Sequence, residues 1–317
     1  MSRNVTLADV AAKAKVSTAT VSRALNGDKA VREETRRHVA AVAQEMGFVP
    51  STGARLLVQG ESAVIGLSLG RRDFETSRYV AMMHQTLSRH LVGQGWLVRL
   101  VLGSEFAELT GRLGGFILLG VSPEDPRIAL CRDRDTPFVA VGKSEPGVFW
   151  VAPDDSSGAQ QAIDCLAPQS QGCIDILYHD DGSLNERLQA AFDRCGALGV
   201  QARALPAPPG PTSSLSGYRT VHAALHQGRT FTAVFAETDE LALGAAAAFA
   251  DAGLEPGRDV KLIGFDDLPH MAGGLTTLAQ DFNLLAQTAL LLLGEARNRL
   301  PARSLCVPVK LVRRTTA

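Results

Sequence analysis

Near its start the chain reads Thr6-Leu7-Ala8-Asp9-Val10-Ala11-Ala12-Lys13-Ala14-Lys15-Val16-Ser17-Thr18-Ala19-Thr20-Val21-Ser22-Arg23-Ala24-Leu25-Asn26. Apolar residues recur at helical spacing on both sides of Val16, and these are Leu7, Val10, Ala11, Ala14, Val21 and Leu25. The small alanines let two helices approach closely, and Val16 fills the corner between them. The pattern predicts a helix-turn-helix, which makes double-stranded DNA the first partner to consider.

Capping side chains begin both predicted helices. Thr6 is followed three residues later by Asp9, a capping pair for the first helix, and Ser17 caps the second. The exposed face of the second helix then carries Thr18, Ala19, Ser22 and Arg23. Short hydroxyl side chains can bond phosphate oxygens, and Arg23 can reach a guanine edge in the major groove. The alternative is a helical hairpin that contacts only protein.

The charge distribution favours the DNA hypothesis. Residues 1–60 hold nine Lys or Arg against five Asp or Glu, whereas the whole chain has a net charge of −1. A basic head on an acidic body is expected when only one module meets phosphates. A solvated basic surface of this size also arises by chance, so the charge supports the motif without replacing it.

A third helix and a short connecting segment follow the motif. The third helix is predicted from about Arg32 to Met46, and it closes a small three-helix core. Pro50 then stops the chain. The sequence of residues 51–60 predicts a weak, short helix, which we expect to be disordered when free and helical when held against DNA.

These first sixty residues resemble the headpiece of the lactose/purine repressor family, bacterial regulators that bind operators as dimers. The matching positions are Thr6, Val10-Ala11, Ala14, Val16-Ser17, Thr20-Val21-Ser22-Arg23, Asn26, Val31, Thr35-Arg36, Val39, Gly47-Phe48, Pro50, Ala54-Arg55 and Leu57. Two positions depart from the pattern. Lys15 stands where many relatives have Gly in the turn, so we expect strain in that turn, and Ser51 stands where Asn is common.

The resemblance also implies how the headpiece contacts DNA. Thr18, Ala19 and Arg23 would face base edges, and the residues that would hold the DNA backbone are Thr20, Ser22, Asn26 and Thr35. Leu57 would wedge between base pairs from the minor groove. The expected DNA-binding set is completed by Thr6, Ser17 and Ala54.

Length and composition agree with a protein of several domains. A chain of 317 residues with 45% hydrophobic content can bury a large core. No apolar run approaches the ~18–20 residues that a membrane span needs, and the charged amino terminus does not resemble a secretory signal. We therefore expect a cytoplasmic protein without membrane contact, in which five unpaired cysteines are packed thiols.

After Gly60 the pattern changes to alternating short strands and helices. The predicted strands are 64–69, 97–102, 116–119, 138–141, 174–178, 234–236 and 261–264, and the helices between them include 79–92, 185–198, 216–226 and 240–252. This alternation is typical of parallel sheets built from βαβ units. About 250 residues exceed one compact sheet, so two lobes are expected, with a ligand at the carboxyl ends of their strands.

This second part resembles the effector domain of the same family, which has the periplasmic sugar-binding fold with three chain crossings between its lobes. The matching stretches are 232–245, 262–267, 275–282 and 308–314, and the match is closest to lactose-type repressors. Between Leu102 and Gly115 the chain is shorter than usual, so one helix of the first lobe is expected to be shrunken or missing.

The predicted fold is therefore a multidomain one. An all-α helix-turn-helix headpiece (1–50) and a hinge helix (51–60) precede an α/β two-lobed periplasmic-binding-protein-like effector domain with parallel sheets (61–317). Lobe 1 comprises about 61–153 and 283–304, and lobe 2 comprises about 154–282 and 305–317. The helix near 79–92 is the expected subunit contact of a homodimer.

The resemblance implies an effector site. Arg187 matches an Arg that binds ligand oxygens, Asp266 matches a carboxylate that accepts from sugar hydroxyls, and Phe282 offers an apolar face for a sugar ring. The remaining candidates are Asp73, Thr238 and either Asp154 or Asp155. The alternative interpretation of Asp266 and Arg187 is structural. In that interpretation Asp266 only ends a strand, and Arg187 forms an ion pair on the surface.

The class of effector stays open at this point. A neutral glycoside is favoured because the second lobe is lactose-like. Arg71, Arg72 and Lys143 lie near the predicted rim of the cleft, and they would suit a sugar acid or a sugar phosphate unless they are ordinary solvated surface.

Enzymatic and metal-binding functions are weaker interpretations. Residues 66–70 satisfy G-x-S-x-G, but Ser68 lies inside a predicted strand and not on an exposed turn. His222 and His226 are one helical turn apart, without a third ligand nearby in the sequence. We expect no catalytic residue, no metal and no cofactor.

The sequence as a whole indicates a DNA-binding transcription regulator, a repressor of carbohydrate-utilisation genes that is controlled by a small carbohydrate. The alternative is a cytoplasmic sugar-binding receptor whose amino-terminal helices contact protein. The effector, the operator, and the direction of the response stay open.

Overall fold

The structure is a computed structural model that describes residues 5–25, 30–46, 62–70, 77–122, 124–180, 185–209, 212–269 and 273–317. Several expectations lie outside these residues, namely those for Asn26, Ala54, Leu57, Arg71, Arg72, Asp73 and the hinge helix at 51–60. No helix within the described ranges combines the length and the apolar character that a membrane crossing requires.

The described residues of the amino-terminal part form three helices, α1 (Leu7–Ala14), α2 (Thr18–Leu25) and α3 (Glu33–Glu45). They enclose a small core of buried aliphatic side chains, which are Val10, Ala11, Ala14, Val21, Ala24, Val39, Val42 and Ala43. The predicted helical spacing is confirmed, because the apolar residues that recur along each helix are the ones that become buried.

The rest of the chain alternates strands and helices. Its first half contains β1 (Val64–Leu69), α4 (Arg78–Leu91), β2 (Leu97–Val101), α5 (Gly103–Leu109), β3 (Gly115–Leu119), α6 (Pro126–Asp133), β4 (Phe138–Val141), β5 (Trp150–Pro153) and α7 (Asp155–Leu166). Its second half contains β6 (Cys173–His179), α8 (Glu186–Ala197), β7 (Gln201–Ala207), α9 (Ser213–His226), β8 (Ala233–Ala236), α10 (Asp239–Asp251), β9 (Lys261–Asp266), β10 (Thr276–Ala279), α11 (Phe282–Arg297), β11 (Ser304–Val307) and β12 (Lys310–Val312). Helix α5 has only seven residues, which confirms the shrunken helix expected there.

These strands form two six-stranded sheets. The first sheet has the order β11-β5-β4-β3-β1-β2 and is parallel throughout. The second has the order β12-β10-β9-β8-β6-β7, and β12 runs antiparallel to β10. We call the first sheet with α4, α5, α6 and α11 the first lobe, and the second sheet with α7, α8, α9 and α10 the second lobe. Strands such as β3 and β8 are buried along their whole length, because helices cover both faces of each sheet.

The chain passes between the lobes three times, as the resemblance implied. The passages lie between β5 and α7, between β10 and α11, and between β11 and β12. The boundary placed at residue 305 was wrong, because Ser304–Val307 pairs with β5 and so belongs to the first sheet. A four-residue strand fits either sheet by its own pattern, and only the pairing decides where it lies.

Candidate DNA-binding and effector sites

Both helices of the predicted helix-turn-helix begin with the predicted caps. Thr6 Oγ1 accepts a hydrogen bond from the backbone N–H of Asp9, and the Asp9 carboxylate accepts one from the backbone N–H of Thr6 at 2.8 Å. Ser17 Oγ accepts from the Thr20 N–H at 3.0 Å. Lys15, at the position where relatives carry Gly, has φ 52° in the left-handed region. This conformation is unfavourable for a side chain with a Cβ, so the turn is strained there.

Helix α2 presents a polar face. Thr18, Ala19 and Arg23 are exposed, whereas Val21 and Ala24 on the other side are buried in the three-helix core. The candidate residues Thr20, Ser22 and Thr35 are half-buried, whereas Ser17 is exposed. Short side chains beside an exposed Arg allow the helix to approach a groove closely, which suits contact with base edges and phosphates.

At the carboxyl ends of the second sheet, Arg187 lies at the centre of a cluster of acidic groups. Its Nη2 donates to Asp155 Oδ1 at 2.7 Å, and its Nη1 donates to the backbone carbonyl of Glu237. Nη1 also lies 3.8 Å from Asp266 Oδ1, and the guanidinium covers the ring of Phe265 at 3.5 Å. Burial opposes the charge of Arg187, but the three acidic residues outweigh it and raise its pKa. Arg187 is therefore not the surface ion pair of the alternative interpretation.

Asp266 is a buried carboxyl at the end of β9. Gln280 Nε2 donates to its Oδ1 at 2.7 Å, and its backbone φ of 120° is unusual for a residue other than Gly. Burial raises its pKa well above the usual range, Arg187 opposes this, and Asp239, Asp155 and Glu240 add to it. A buried, strained polar residue at a strand end is typical of a ligand site.

Asp239 and Glu237 surround this position with further carboxyl groups. Thr277 Oγ1 donates to Asp239 Oδ1 at 2.5 Å, and burial raises the pKa of Asp239 to about 6. Burial also opposes the charge of Glu237, but hydrogen bonds from His179 outweigh that effect and lower the pKa of Glu237. The described part of the site is thus rich in hydrogen-bond acceptors.

An aromatic pair lies beside the acidic cluster. Phe282 begins α11, and its ring centroid is 5.2 Å from that of Tyr79 on α4. Tyr79 Oη is 3.5 Å from Gln280 Oε1, so the pair lies close to Asp266 through Gln280. Burial and the nearby Asp266 and Asp155 raise the pKa of Tyr79. Phe282 is buried and Tyr79 is half-buried, so Tyr79 is the more accessible ring of the pair. Aromatic rings next to acceptors suit a ligand with one apolar face and several hydroxyl groups.

The remaining candidates occupy helix starts. Asp154 accepts from the N–H of Ser157 and caps α7, and Thr238 accepts from the N–H of Leu241 and caps α10. Of the two neighbouring aspartates, it is therefore Asp155 that faces Arg187. Sequence reasoning did not find Tyr79, Gln280 or Glu237. Signals were available for Glu237 and Gln280, because each lies in a matching stretch, Glu237 next to Thr238 and Gln280 two residues before Phe282.

The structure also shows where the residues of the enzymatic and metal-binding interpretations and the cysteines lie. Ser68 is fully buried inside β1 and lies 3.4 Å from Arg127 Nη1, so it is not on an exposed nucleophile turn. The Nε2 atoms of His222 and His226 are 3.2 Å apart on the surface. Among the described residues, no group of three or more His, Cys, Asp or Glu could hold a metal ion. The expectation of packed thiols was wrong for Cys306, which is exposed on β11.

Comparisons with known proteins agree with both parts of the chain. Residues 6–51 match the family of bacterial regulatory proteins called the lacI family, and residues 171–317 match the periplasmic binding protein-like domain. The chain is 28% identical to the lactose operon repressor of Escherichia coli K12, over 98% of the chain and 90% of the repressor. It is also 28% identical to the transcriptional regulator GalR of the same strain, over 98% of the chain and 94% of GalR.

A solved structure extends the similarity to three dimensions. The lac repressor dimer bound to operator and the anti-inducer ONPF has a TM-score of 0.75 and 25% identity, with 99% of each chain covered. The helix-turn-helix and the two-lobed domain together define a DNA-binding transcriptional regulator. The chain belongs to the lacI family of bacterial regulatory proteins. Its relatives are transcriptional regulators, which agrees with the expectation that it is not an enzyme.

Proposed function

We propose that the chain is a repressor of carbohydrate-utilisation genes that binds operator DNA as a homodimer and responds to a small neutral carbohydrate between its lobes. The observation that carries the proposal is the acceptor-rich cluster of Asp155, Glu237 and Asp266 beside the ring of Phe282. Sugar hydroxyls donate well to carboxylates, and the apolar face of a sugar ring packs on an aromatic side chain.

The charges of the site favour a neutral ligand over a sugar acid or a sugar phosphate. Arg187 is already engaged by Asp155 and by the carbonyl of Glu237. Lys143 Nζ is paired with Glu186 at 2.5 Å. An anionic ligand would have to displace these partners and lie close to several carboxylates. A ligand with uncharged hydroxyl groups meets neither cost.

The proposed mechanism follows from a two-lobed domain with a ligand between the lobes. Effector binding favours one arrangement of the lobes, and the dimer transmits that change to the paired hinge helices, which lose their contact with the minor groove. An effector that prefers one arrangement by ~3 kcal/mol changes operator affinity about 150-fold. The same coupling with the opposite preference would make the effector a corepressor.

DNA binding is tested by selecting genomic fragments with the purified protein and measuring affinity over a salt series. We expect a steep decrease of affinity with salt on specific DNA. Arg23→Ala should weaken binding to specific DNA by about 1–3 kcal/mol and should weaken binding to random DNA less. The control Arg194→Ala, on the surface of the second lobe, should change neither affinity. If Arg23→Ala lost equal affinity for specific and for random DNA, the base-reading role of Arg23 would be contradicted. No preference for any fragment would favour a receptor whose helices contact protein.

Effector class is tested by thermal shift with neutral glycosides, sugar acids and sugar phosphates. We expect a neutral glycoside to raise the Tm. Phe282→Leu keeps the apolar bulk but loses the aromatic face, so it should reduce the shift. Gln287→Ala, an exposed position on the same helix, should leave it unchanged. A response to sugar phosphates alone would contradict the neutral-ligand proposal.

A further inference from the structure

In the part of the chain that the structure describes, two polar contacts join the first lobe to the second outside the three chain passages. In one, Lys143, which follows β4 of the first lobe, reaches Glu186 at the start of α8 in the second. The distance from Nζ to Oε1 is 2.5 Å. Ser156 Oγ on α7 donates to the same oxygen at 2.7 Å, so the second lobe holds the Glu186 carboxylate in place for the lysine.

The second contact caps a helix of one lobe with a side chain of the other. Glu240 on α10 accepts from the backbone N–H of Arg78 at 3.2 Å and from Ser77 Oγ at 3.4 Å. Arg78 is the first residue of α4, and the first N–H groups of a helix have no partner inside the helix. A carboxylate at this position also interacts favourably with the helix dipole. The first turn of α4 contains no acidic residue of its own.

The two contacts connect different pairs of strand ends. Lys143 and Glu186 follow β4 and β6, whereas Arg78 and Glu240 follow β1 and β8. All four strands lie inside their sheets and on one side of the strands at which the chain passes between the lobes, which are β5 and β11 in the first sheet and β10 and β12 in the second. A rotation about those passages would separate both contacts together, because neither is made within a single lobe.

We infer that these contacts, Lys143 with Glu186 and Glu240 with the start of α4, are latches that hold the two lobes together. By setting the fraction of closed molecules they would also set the apparent affinity for the effector. This regulatory consequence rests on the proposed function, whereas the latches themselves do not. Both are made by side chains of this chain and need no ligand to form.

Charge reversal tests the first latch without any effector. Spin labels on unnatural amino acids at positions 107 and 219, both exposed, report the distance between the lobes by double electron–electron resonance. Labelled chain is mixed with excess unlabelled chain, so that distances within one chain dominate. These positions lie on α5 and α9, which follow the edge strands β2 and β7, the strands farthest from the passages. Opening should therefore move them most.

We expect Lys143→Glu to lower the ratio of closed to open molecules about two- to fivefold, which is the effect of losing an exposed ion pair. The double variant K143E/E186K should restore the wild-type distances, because the pair is formed again with reversed charges. The control is Arg194→Glu, which breaks a 2.7 Å pair with Asp164 inside the second lobe and should leave the distances unchanged. Unchanged distances in K143E, or no recovery in the double variant, would overturn the first latch.

Hydrogen exchange tests the second latch. The Arg78 amide should exchange roughly tenfold faster in Glu240→Ala, because a charge-assisted hydrogen bond protects it. Residues later in α4 should keep their wild-type rates, which separates loss of the cap from unfolding of the helix. An unchanged rate at Arg78 would overturn the second latch. If both latches pass and no sugar binds, the proposed function fails while the latches stand.

Discussion

Replacing Arg187 by Met tests the balance of charge in the acidic cluster. The variant keeps an unbranched side chain over the Phe265 ring, but it removes the hydrogen bonds to Asp155 and to the Glu237 carbonyl. The Arg187 side chain is 11% exposed, so solvent cannot replace the lost partner. Breaking a buried ion pair on one side costs about 3–5 kcal/mol. We expect the free energy of unfolding to fall by that amount at pH 8.

The loss should depend on pH in a defined direction. Burial raises the pKa of Asp266 above its value in the unfolded chain, and Arg187 opposes that rise. A carboxyl with a raised pKa in the folded state destabilises the fold increasingly as the pH rises from its unfolded pKa to its folded pKa. Removing Arg187 raises the folded pKa further. The destabilisation should therefore be larger at pH 8 than at pH 5, where the carboxyls are more readily protonated.

Urea unfolding followed by circular dichroism at pH 5 and pH 8 measures both effects. Arg194→Met is the matched control, since Arg194 lies on the same helix α8 but forms its ion pair with Asp164 in solvent. It should cost only a small fraction of the Arg187 loss at either pH. Equal losses in the two variants, or a loss in the Arg187 variant that does not change with pH, would refute the reasoning.

Three further predictions concern packing, backbone strain and thiol reactivity. A Cβ at Gly244 would lie 2.0 Å from a carbonyl oxygen of α9, so Gly244→Ala should lower the Tm and reduce the free energy of unfolding by about 3 kcal/mol. A Cβ at Gly294 would meet open space, so Gly294→Ala should raise the free energy of unfolding by about 1 kcal/mol. Similar melting curves for the two variants would contradict this prediction. Lys15→Gly should stabilise the three-helix part by about 1 kcal/mol by relieving its positive φ, and a lower transition in calorimetry would argue against strain. Iodoacetamide at pH 8 should modify exposed Cys306 first and spare Cys131, whose pKa burial raises to about 12; peptide mass spectrometry that found equal rates would contradict the burial argument.

The three-helix part was predictable almost residue by residue. The capping pair of Thr6 and Asp9, the cap at Ser17 and the buried face of each helix all appear where the sequence placed them. Their determinants are local, because capping bonds reach three residues along the chain and helical burial repeats every 3.6 residues. The strain expected at Lys15 could also be read from the sequence, since Gly is common there in relatives.

The strands were predicted less completely. Seven strands were found from their apolar runs, and the structure adds β5, β7, β10, β11 and β12 in its described part. Four of these have only three or four residues and contain Pro153, Thr276, Ser304 or Lys310, whereas the equally short β4 and β8 are uninterrupted apolar runs. β7 is a half-exposed edge strand that contains Pro206, a residue that argues against a strand except at an edge.

By itself, the sequence determined the helix-turn-helix and the parallel α/β class, and through the family resemblance it marked Arg187, Asp266 and Phe282 as effector-site candidates. Only the tertiary structure decided that Asp155 rather than Asp154 meets Arg187, that Tyr79 joins Phe282, and that Lys143 reaches across to Glu186. The physical reason is range. Caps and periodic burial act between neighbours in the chain, whereas the partner of a charged side chain depends on strand order, which brings together residues far apart in sequence.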